Sequence, residues 1–304
     1  MASPKIDVIV RNAATGTGEG PYWDNESKTL YHIDLVAGDA HRWNSLTNEN
    51  EVISVSDRHL TFLIPRKSGG FIAGKKQSLI HFDWENPSEQ TILAEVEEGM
   101  NTRWNDGKCD TSGRLWAGTM CVEIGTVVPV GGLGSLYSMD LDGTVKKHAD
   151  KFSISNGLAW SLDDTVMYFA DSMHRCVYAF DYDKNTGLVT NQRVSVKYPD
   201  DKLYGVPDGM CSDTEGKLWV ACYDGDRIVR FDPETGKIIQ ELQVPVKNPT
   251  SCCFGGENQD ELFITSSRTG YTDEELRTKD PLAGSVFKVT GLGFKGPENI
   301  KFHG

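Results

Sequence analysis

The chain has 304 residues, with 31 Lys and Arg against 44 Asp and Glu and a formal net charge of −13. This acidity argues against nucleic acid or an anionic membrane surface as a partner. No apolar run approaches the roughly 20 residues of a membrane span, and the first residues lack the long apolar segment of a signal peptide. We therefore expect a cytoplasmic protein with neither a nucleic-acid nor a membrane partner.

Glycine and turn residues alternate with short apolar segments along the whole chain, and no helical stripe is sustained. This pattern predicts an all-β fold. Six of the segments are similar to one another, and each contains one apolar anchor residue. In chain order they are KTLYHID, GGFIAGK, GRLWAGT, TVMYFAD, GKLWVAC and DELFITS, with anchors Leu30, Phe71, Leu115, Met167, Leu218 and Leu262.

A second strand pattern follows each of these segments, and the anchors recur at about 40 to 50 residues, the period of propeller blades. The sequence therefore predicts a six-bladed β-propeller as a single domain over residues 1–304. Because a closed ring must cover its last edge, we expect residues 6–10 to pair with the C-terminal unit. Residues 121–134 lengthen the third unit and are predicted to form a rim loop.

The innermost strand of each blade should begin ten or eleven residues before its anchor, and these starts should ring one mouth of the central channel. Four of the six positions hold an acid or an amide, and a glycine stands one or two residues after each of the four. The six positions are Glu19, Thr61, Asn105, Asn156, Asp208 and Ser251. Two carboxylates and two amide oxygens favour Ca²⁺, Mg²⁺ or Mn²⁺, with Zn²⁺ less expected. The alternative is that these side chains only bond to neighbouring backbone amides.

Seven cysteines occur, an odd number without a CxxC pair or a Cys/His cluster, so neither a disulfide framework nor a zinc knuckle is predicted. We expect reduced and mostly buried thiols.

Several motifs occur in order over nearly the whole chain: GEGPYWD, RWNDGKCD, GRLWAGTM, SNGLAWSLD, PDGMCSDTEGKLWVACYDG, TSCCFGG and VTGLGFKG. This series resembles the family of senescence marker protein (regucalcin), gluconolactonase and luciferin-regenerating enzyme, and most resembles its regucalcin branch. The resemblance implies that Glu19, Asn156 and Asp208 are metal ligands and that Asp208 is also the catalytic acid/base. It further implies that Arg103, Asn105 and Glu123 contact the substrate.

The expected function is a hydrolase that opens sugar aldonolactones with one divalent cation, Ca²⁺ first and Zn²⁺, Mn²⁺ or Mg²⁺ as alternatives. In this scheme Asp208 serves as general base. Arg103 donates two parallel hydrogen bonds to sugar hydroxyls or to developing negative charge, and Asn105 orients the sugar ring. One alternative is a non-catalytic calcium-binding regulatory protein. Another is the same metal site acting on a different substrate, in luciferin regeneration or organophosphate ester hydrolysis. We expect a small-molecule lactone as the partner, and a monomer or weak dimer.

Overall fold

The computed structural model describes residues 3–124 and 132–304. Residues 125–131 of the predicted rim loop lie outside the described residues. Within them, the chain is almost entirely strand, with one 3-10 turn (Lys202–Tyr204) and one short helix, α1 (Asp273–Thr278).

The strands, numbered in chain order, form six antiparallel sheets of four. The innermost strands are β2 (Gly18–Asp24), β6 (Leu60–Pro65), β10 (Thr102–Cys109), β14 (Ser155–Trp160), β18 (Val206–Ser212) and β22 (Pro249–Gly255). The second strands are β3 (Thr29–Asp34), β7 (Phe71–Lys75), β11 (Leu115–Cys121), β15 (Val166–Asp171), β19 (Leu218–Tyr223) and β23 (Glu261–Ser266). The third strands are β4 (Asp39–Asn44), β8 (Ser78–Asp83), β12 (Gly134–Met139), β16 (Cys176–Asp183), β20 (Arg227–Asp232) and β24 (Val286–Thr290). The outermost strands are β5 (Asn50–Ser54), β9 (Asn86–Glu95), β13 (Val145–Phe152), β17 (Leu188–Lys197), β21 (Lys237–Gln243) and β1 (Lys5–Val10).

The six sheets are the blades of a six-bladed β-propeller, as the sequence predicts. All six anchor residues lie in the second strands, and the strand patterns that follow them form the third strands. The second strands are largely buried, because each is covered on both faces by the neighbouring blades. This explains their continuous apolar and aromatic sequences.

The ring closes in the sixth blade, where the chain's first strand supplies the outermost position. In that blade β1 pairs antiparallel with β24, with Ile6 opposite Val289 and Val8 opposite Phe287. The predicted closure by residues 6–10 is confirmed. Pairing the N-terminal strand with the C-terminal unit ties the two ends of the chain together and covers the edge of β24.

The core lies between the blades. It contains large, fully buried side chains, among them Trp23, Trp104, Trp116 and Trp219. All seven cysteines are free and buried, as expected from their number and spacing. In the described ranges, no helix is long and apolar enough to cross a membrane.

Candidate metal centre

Every innermost strand contains a β-bulge at or beside the position predicted to face the channel mouth. The shifts in pairing register fall between Glu19 and Tyr22, Leu60 and Phe62, Trp104 and Gly107, Asn156 and Leu158, Pro207 and Met210, and Pro249 and Ser251. A bulge leaves one residue outside the ladder and redirects its side chain. The six-fold arrangement therefore turns polar side chains of separate blades toward the channel.

Glycine allows neighbouring innermost strands to approach each other closely at this mouth. A Cβ on Gly157 would lie 2.7 Å from the Asp208 carbonyl oxygen, and one on Gly209 would lie 2.0 Å from Ser251 Oγ. Both distances are too short for a side chain. The glycine that follows Asn156 and the glycine that follows Asp208 are therefore required by packing between blades.

The two amide side chains predicted for the site are in contact. Asn105 Nδ2 donates to Asn156 Oδ1 at 3.2 Å and to the Ser155 carbonyl oxygen at 2.8 Å. Asn156 Nδ2 donates to Ser172 Oγ at 2.9 Å, and that hydroxyl donates to the Pro207 carbonyl oxygen at 2.7 Å. This chain of bonds links the third, fourth and fifth blades and fixes the Asn156 amide, leaving its oxygen as the group available to a ligand.

Three carboxyl groups from separate blades lie close enough to influence one another. Burial, and then the charges of Asp208 and Asp106, raise the pKa of Glu19 well above its ordinary value. Burial, and then the charge of Asp106, raise the pKa of Asp208 well above its own. Burial also raises the pKa of Asp106. The site therefore disfavours three bare negative charges and would be stabilised by a cation.

Sequence reasoning missed Asp106. It follows Asn105 directly and precedes Gly107, just as Asp208 precedes Gly209. That acid-glycine pair in RWNDGK was the available signal. The other two channel positions, Thr61 and Ser251, carry only hydroxyl groups and are buried.

The donor set fits a hard divalent cation. Glu19 and Asp208 offer carboxylate oxygens and Asn156 an amide oxygen, the ligand types that Ca²⁺ and Mg²⁺ prefer. In residues 3–124 and 132–304, no cluster of three or more His, Cys, Asp or Glu side chains is placed to ligate one ion. The predicted site is consistent with this, because its third ligand is an asparagine.

Beside the amides lies a charged pair, Arg103 and Glu123. Arg103 is 3% exposed, and its Nε donates to Glu123 Oε2 at 3.0 Å while Nη2 donates to Glu123 Oε1. Its Nη1 donates to Asn105 Oδ1 at 2.7 Å and to the Trp104 carbonyl oxygen at 2.8 Å. All three residues expected to contact the substrate are thus joined in one network. The parallel pair of Arg103 donors is directed at Glu123 rather than at open space.

Comparison with known proteins gives one consistent result. Residues 17–268 match the family model described as the SMP-30/Gluconolactonase/LRE-like region. Regucalcin from Danio rerio is 42% identical over 296 residues, which is 97% of each chain.

Two solved structures share the whole fold. A luciferin-regenerating enzyme superposes with a TM-score of 0.90 at 33% identity, over 99% of this chain and 100% of that one. A regucalcin from Agrobacterium tumefaciens, described as a calcium-binding protein, superposes with a TM-score of 0.88 at 27% identity, over 97% and 96% of the two chains. On sequence and structure together, the chain belongs to the SMP-30/gluconolactonase/luciferin-regenerating enzyme family.

Proposed function

We propose that the protein is a metal-dependent lactone hydrolase that opens sugar aldonolactones. The observation that carries this proposal is the meeting of Glu19, Asp208 and the Asn105–Asn156 pair at one channel mouth, beside Arg103 and Glu123. The family to which the chain belongs includes gluconolactonases. Glu19, Asn156 and Asp208 would hold one divalent cation, for which we propose Ca²⁺ first, with Zn²⁺, Mn²⁺ and Mg²⁺ as alternatives.

A divalent cation in this site would act as a Lewis acid toward the lactone carbonyl. Asp208 then has the role of general base. It takes a proton from the attacking water as the new carbon–oxygen bond forms, and returns a proton to the ring oxygen as the ring bond breaks. The product is the open-chain hydroxy acid.

Asp208 can perform this role because its environment controls its ionisation. Burial and Asp106 favour its protonated form when no cation is present, whereas a bound cation favours the carboxylate. The bound cation would therefore keep Asp208 in the unprotonated form that a general base requires.

We propose that the substrate is oriented by Arg103, Asn105 and Glu123. Four N–H groups of Arg103 bond to Trp104, Asn105 and Glu123. Among the residues that the structure describes, its fifth donor has no partner, and we propose that it binds a sugar oxygen. Glu123 can accept from sugar hydroxyl groups, and Arg103 holds its carboxylate in place. We propose that Arg103 acts on the substrate mainly by positioning these two neighbours.

The test is proton release from D-glucono-δ-lactone, with spontaneous ring opening subtracted. Metal-stripped protein should be inactive, and one of the four cations should restore turnover. Asp208→Ala should abolish that turnover, while a control at an exposed turn, Asp142→Ala, should retain it.

A second candidate is a calcium-binding role without turnover, because relatives are named regucalcin and one is described as calcium-binding. It predicts Ca²⁺ binding that depends on Glu19 and Asp208 but no proton release with any cation. The same assay, paired with calorimetric Ca²⁺ titration, separates the two functions. We propose that the protein works as a monomer or weak dimer in the cytoplasm, without a nucleic-acid or membrane partner.

A further inference from the structure

A cavity of about 170 Å³ opens at the other mouth of the channel and extends inward as far as Asp106 and Ser251 of the candidate metal centre. The innermost strands all run from the metal mouth toward this opening, and most of the cavity walls come from their later residues. Each of the six blades contributes one of these residues: Tyr22, Ile64, Cys109, Trp160, Ser212 and Phe254. Most of the lining is apolar, so the cavity suits a small apolar molecule.

The C-terminal segment borders the cavity on one side. It leaves the sixth blade at Gly296, whose N–H bonds to the Gln259 carbonyl oxygen at 2.9 Å. The Asn299 carbonyl oxygen then accepts from the Tyr22 hydroxyl at 3.1 Å, and the Phe302 N–H donates to the second blade. Residues 297–300 line the cavity along this path.

The opposite border is formed by the fourth and fifth blades and is open to solvent. Leu162 lies there, lines the cavity and is 58% exposed. Gly216 of the fifth blade lies against its side chain. A ligand can therefore enter beside Leu162 without displacing the C-terminal segment.

Lys108 supplies a positively charged hydrogen-bond donor to the cavity wall. From the third blade it reaches across the channel to the fifth, where its Nζ donates to the Met210 carbonyl oxygen at 2.6 Å. In the described parts of the chain, Nζ of Lys108 has no other hydrogen bond and no carboxylate within ion-pair distance. An ammonium group has three donors, so two remain for an acceptor in the cavity.

The charges around Lys108 disfavour an anion as that acceptor. Asp106 also lines the cavity and interacts with Lys108 through its charge, and Asp164 and Glu298 lie on the lining as well. A carboxylate ligand bonded to Lys108 would be repelled by the charge of Asp106. A neutral oxygen acceptor would use the free donors of Lys108 without that repulsion.

We propose that this cavity is a second ligand site, for a neutral one-ring aromatic molecule whose carbonyl oxygen accepts a hydrogen bond from Lys108. The cavity is large enough for one aromatic ring, because an apolar cavity of about 150 Å³ in another protein holds benzene. The site shares Asp106 with the candidate metal centre, but its lining does not include Glu19, Asn156 or Asp208, and it needs no cation.

The probe is acetophenone, titrated into the full chain by saturation-transfer NMR, with ethylbenzene and benzoate as comparison ligands. Acetophenone should bind saturably and more tightly than either. Lys108→Met should weaken it roughly tenfold, as expected for loss of a hydrogen bond from a charged donor, to the level of ethylbenzene. Lys237→Met, at an exposed lysine, should leave binding unchanged.

Ser212→Leu is a second test variant, and it leaves Lys108 unchanged. Its larger side chain should fill the cavity and abolish acetophenone binding. Removal of divalent cations should have no effect on acetophenone binding. The proposal is overturned by the absence of saturable binding, by tighter binding of benzoate, or by unchanged affinity in Lys108→Met and Ser212→Leu. Acetophenone binding that depends on a restored divalent cation would place the ligand at the metal centre and would also overturn the proposal.

Discussion

Arg103 directs its Nε and Nη2 groups at the two carboxylate oxygens of Glu123, which lies twenty residues further along the chain at the edge of the mouth. Arg103 is nearly fully buried, and 25% of the Glu123 side chain is exposed. Burial opposes ionisation of Glu123, but the hydrogen bonds and charge of Arg103 outweigh it and hold its pKa below the ordinary value. The pair forms one wall of the candidate site.

Removing the acid of this pair should damage both stability and substrate binding. Glu123→Gln leaves a buried guanidinium with a weaker partner, and we expect a loss of about 1–3 kcal/mol in the free energy of unfolding. Urea denaturation measures that loss. In the lactonase assay KM should rise more than kcat falls, because the residue is proposed to hold substrate. Unchanged KM would remove Glu123 from the substrate site.

Stability of the metal-free protein should fall as the pH rises. Glu19 and Asp208 have pKa values raised above 4.5 and 3.8, so the folded state holds protons that the unfolded state has lost. The stability from these groups is complete below their ordinary pKa values and is lost as the pH rises through the raised ones. Thermal unfolding at several pH values with a chelator measures this.

A saturating cation should reverse that trend, since it binds the carboxylate forms in the folded state. The control is a Glu19→Gln, Asp208→Asn double variant, in which the slope with pH should shrink and the cation should have little effect. If the stability of the metal-free protein stays constant or rises between pH 4 and 7, the proposed coupling is contradicted.

Asp213 should be essential to the fifth blade. Its carboxylate accepts from the backbone N–H groups of Glu215 and Lys217 at 2.9 Å, from Trp219 Nε1 at 2.9 Å and from Arg230 Nε at 2.7 Å. Asp213→Ala leaves these donors without an acceptor and should lower the free energy of unfolding by about 3–5 kcal/mol. Asp142→Ala, in an exposed turn, should stay within about 0.5 kcal/mol of the parent in urea denaturation.

Gly209→Ala should destabilise the fold by about 1–3 kcal/mol, because its Cβ would overlap Ser251 Oγ and Cβ. Combining it with Ser251→Gly removes both of those atoms. A double-mutant cycle in urea should show that part of the loss is recovered. Purely additive effects would mean that the two strands do not approach as closely as the structure shows.

Much of the architecture follows from local sequence. The anchors Leu30 to Leu262 recur at blade spacing, and short apolar segments rich in β-branched and aromatic residues between turn residues indicate strands. The covering of the ring's last edge by residues 6–10 was also predictable, because an open edge is unfavourable in any propeller. The repeats also predicted which site residues stand at equivalent points of their blades, namely Glu19, Asn105, Asn156 and Asp208.

Other features depend on atoms far apart in the chain. Lys108 crosses the channel to Met210, and Arg103 joins Asn105 to Glu123; neither contact has a signature in the spacing of residues. Asp106 was overlooked because a repeat identifies one position per blade, whereas the β-bulge between Trp104 and Gly107 places an additional side chain at the channel.

The sequence by itself determined the strand repeat, the number of blades and the residue types at the channel mouth, because hydrophobic periodicity and turn chemistry are local properties. The tertiary structure alone decided which side chains meet, which carboxyl groups share a buried site and where the second cavity opens. Those properties arise from bulges and from the approach of separate blades, and burial and charge act through distances in space rather than along the chain.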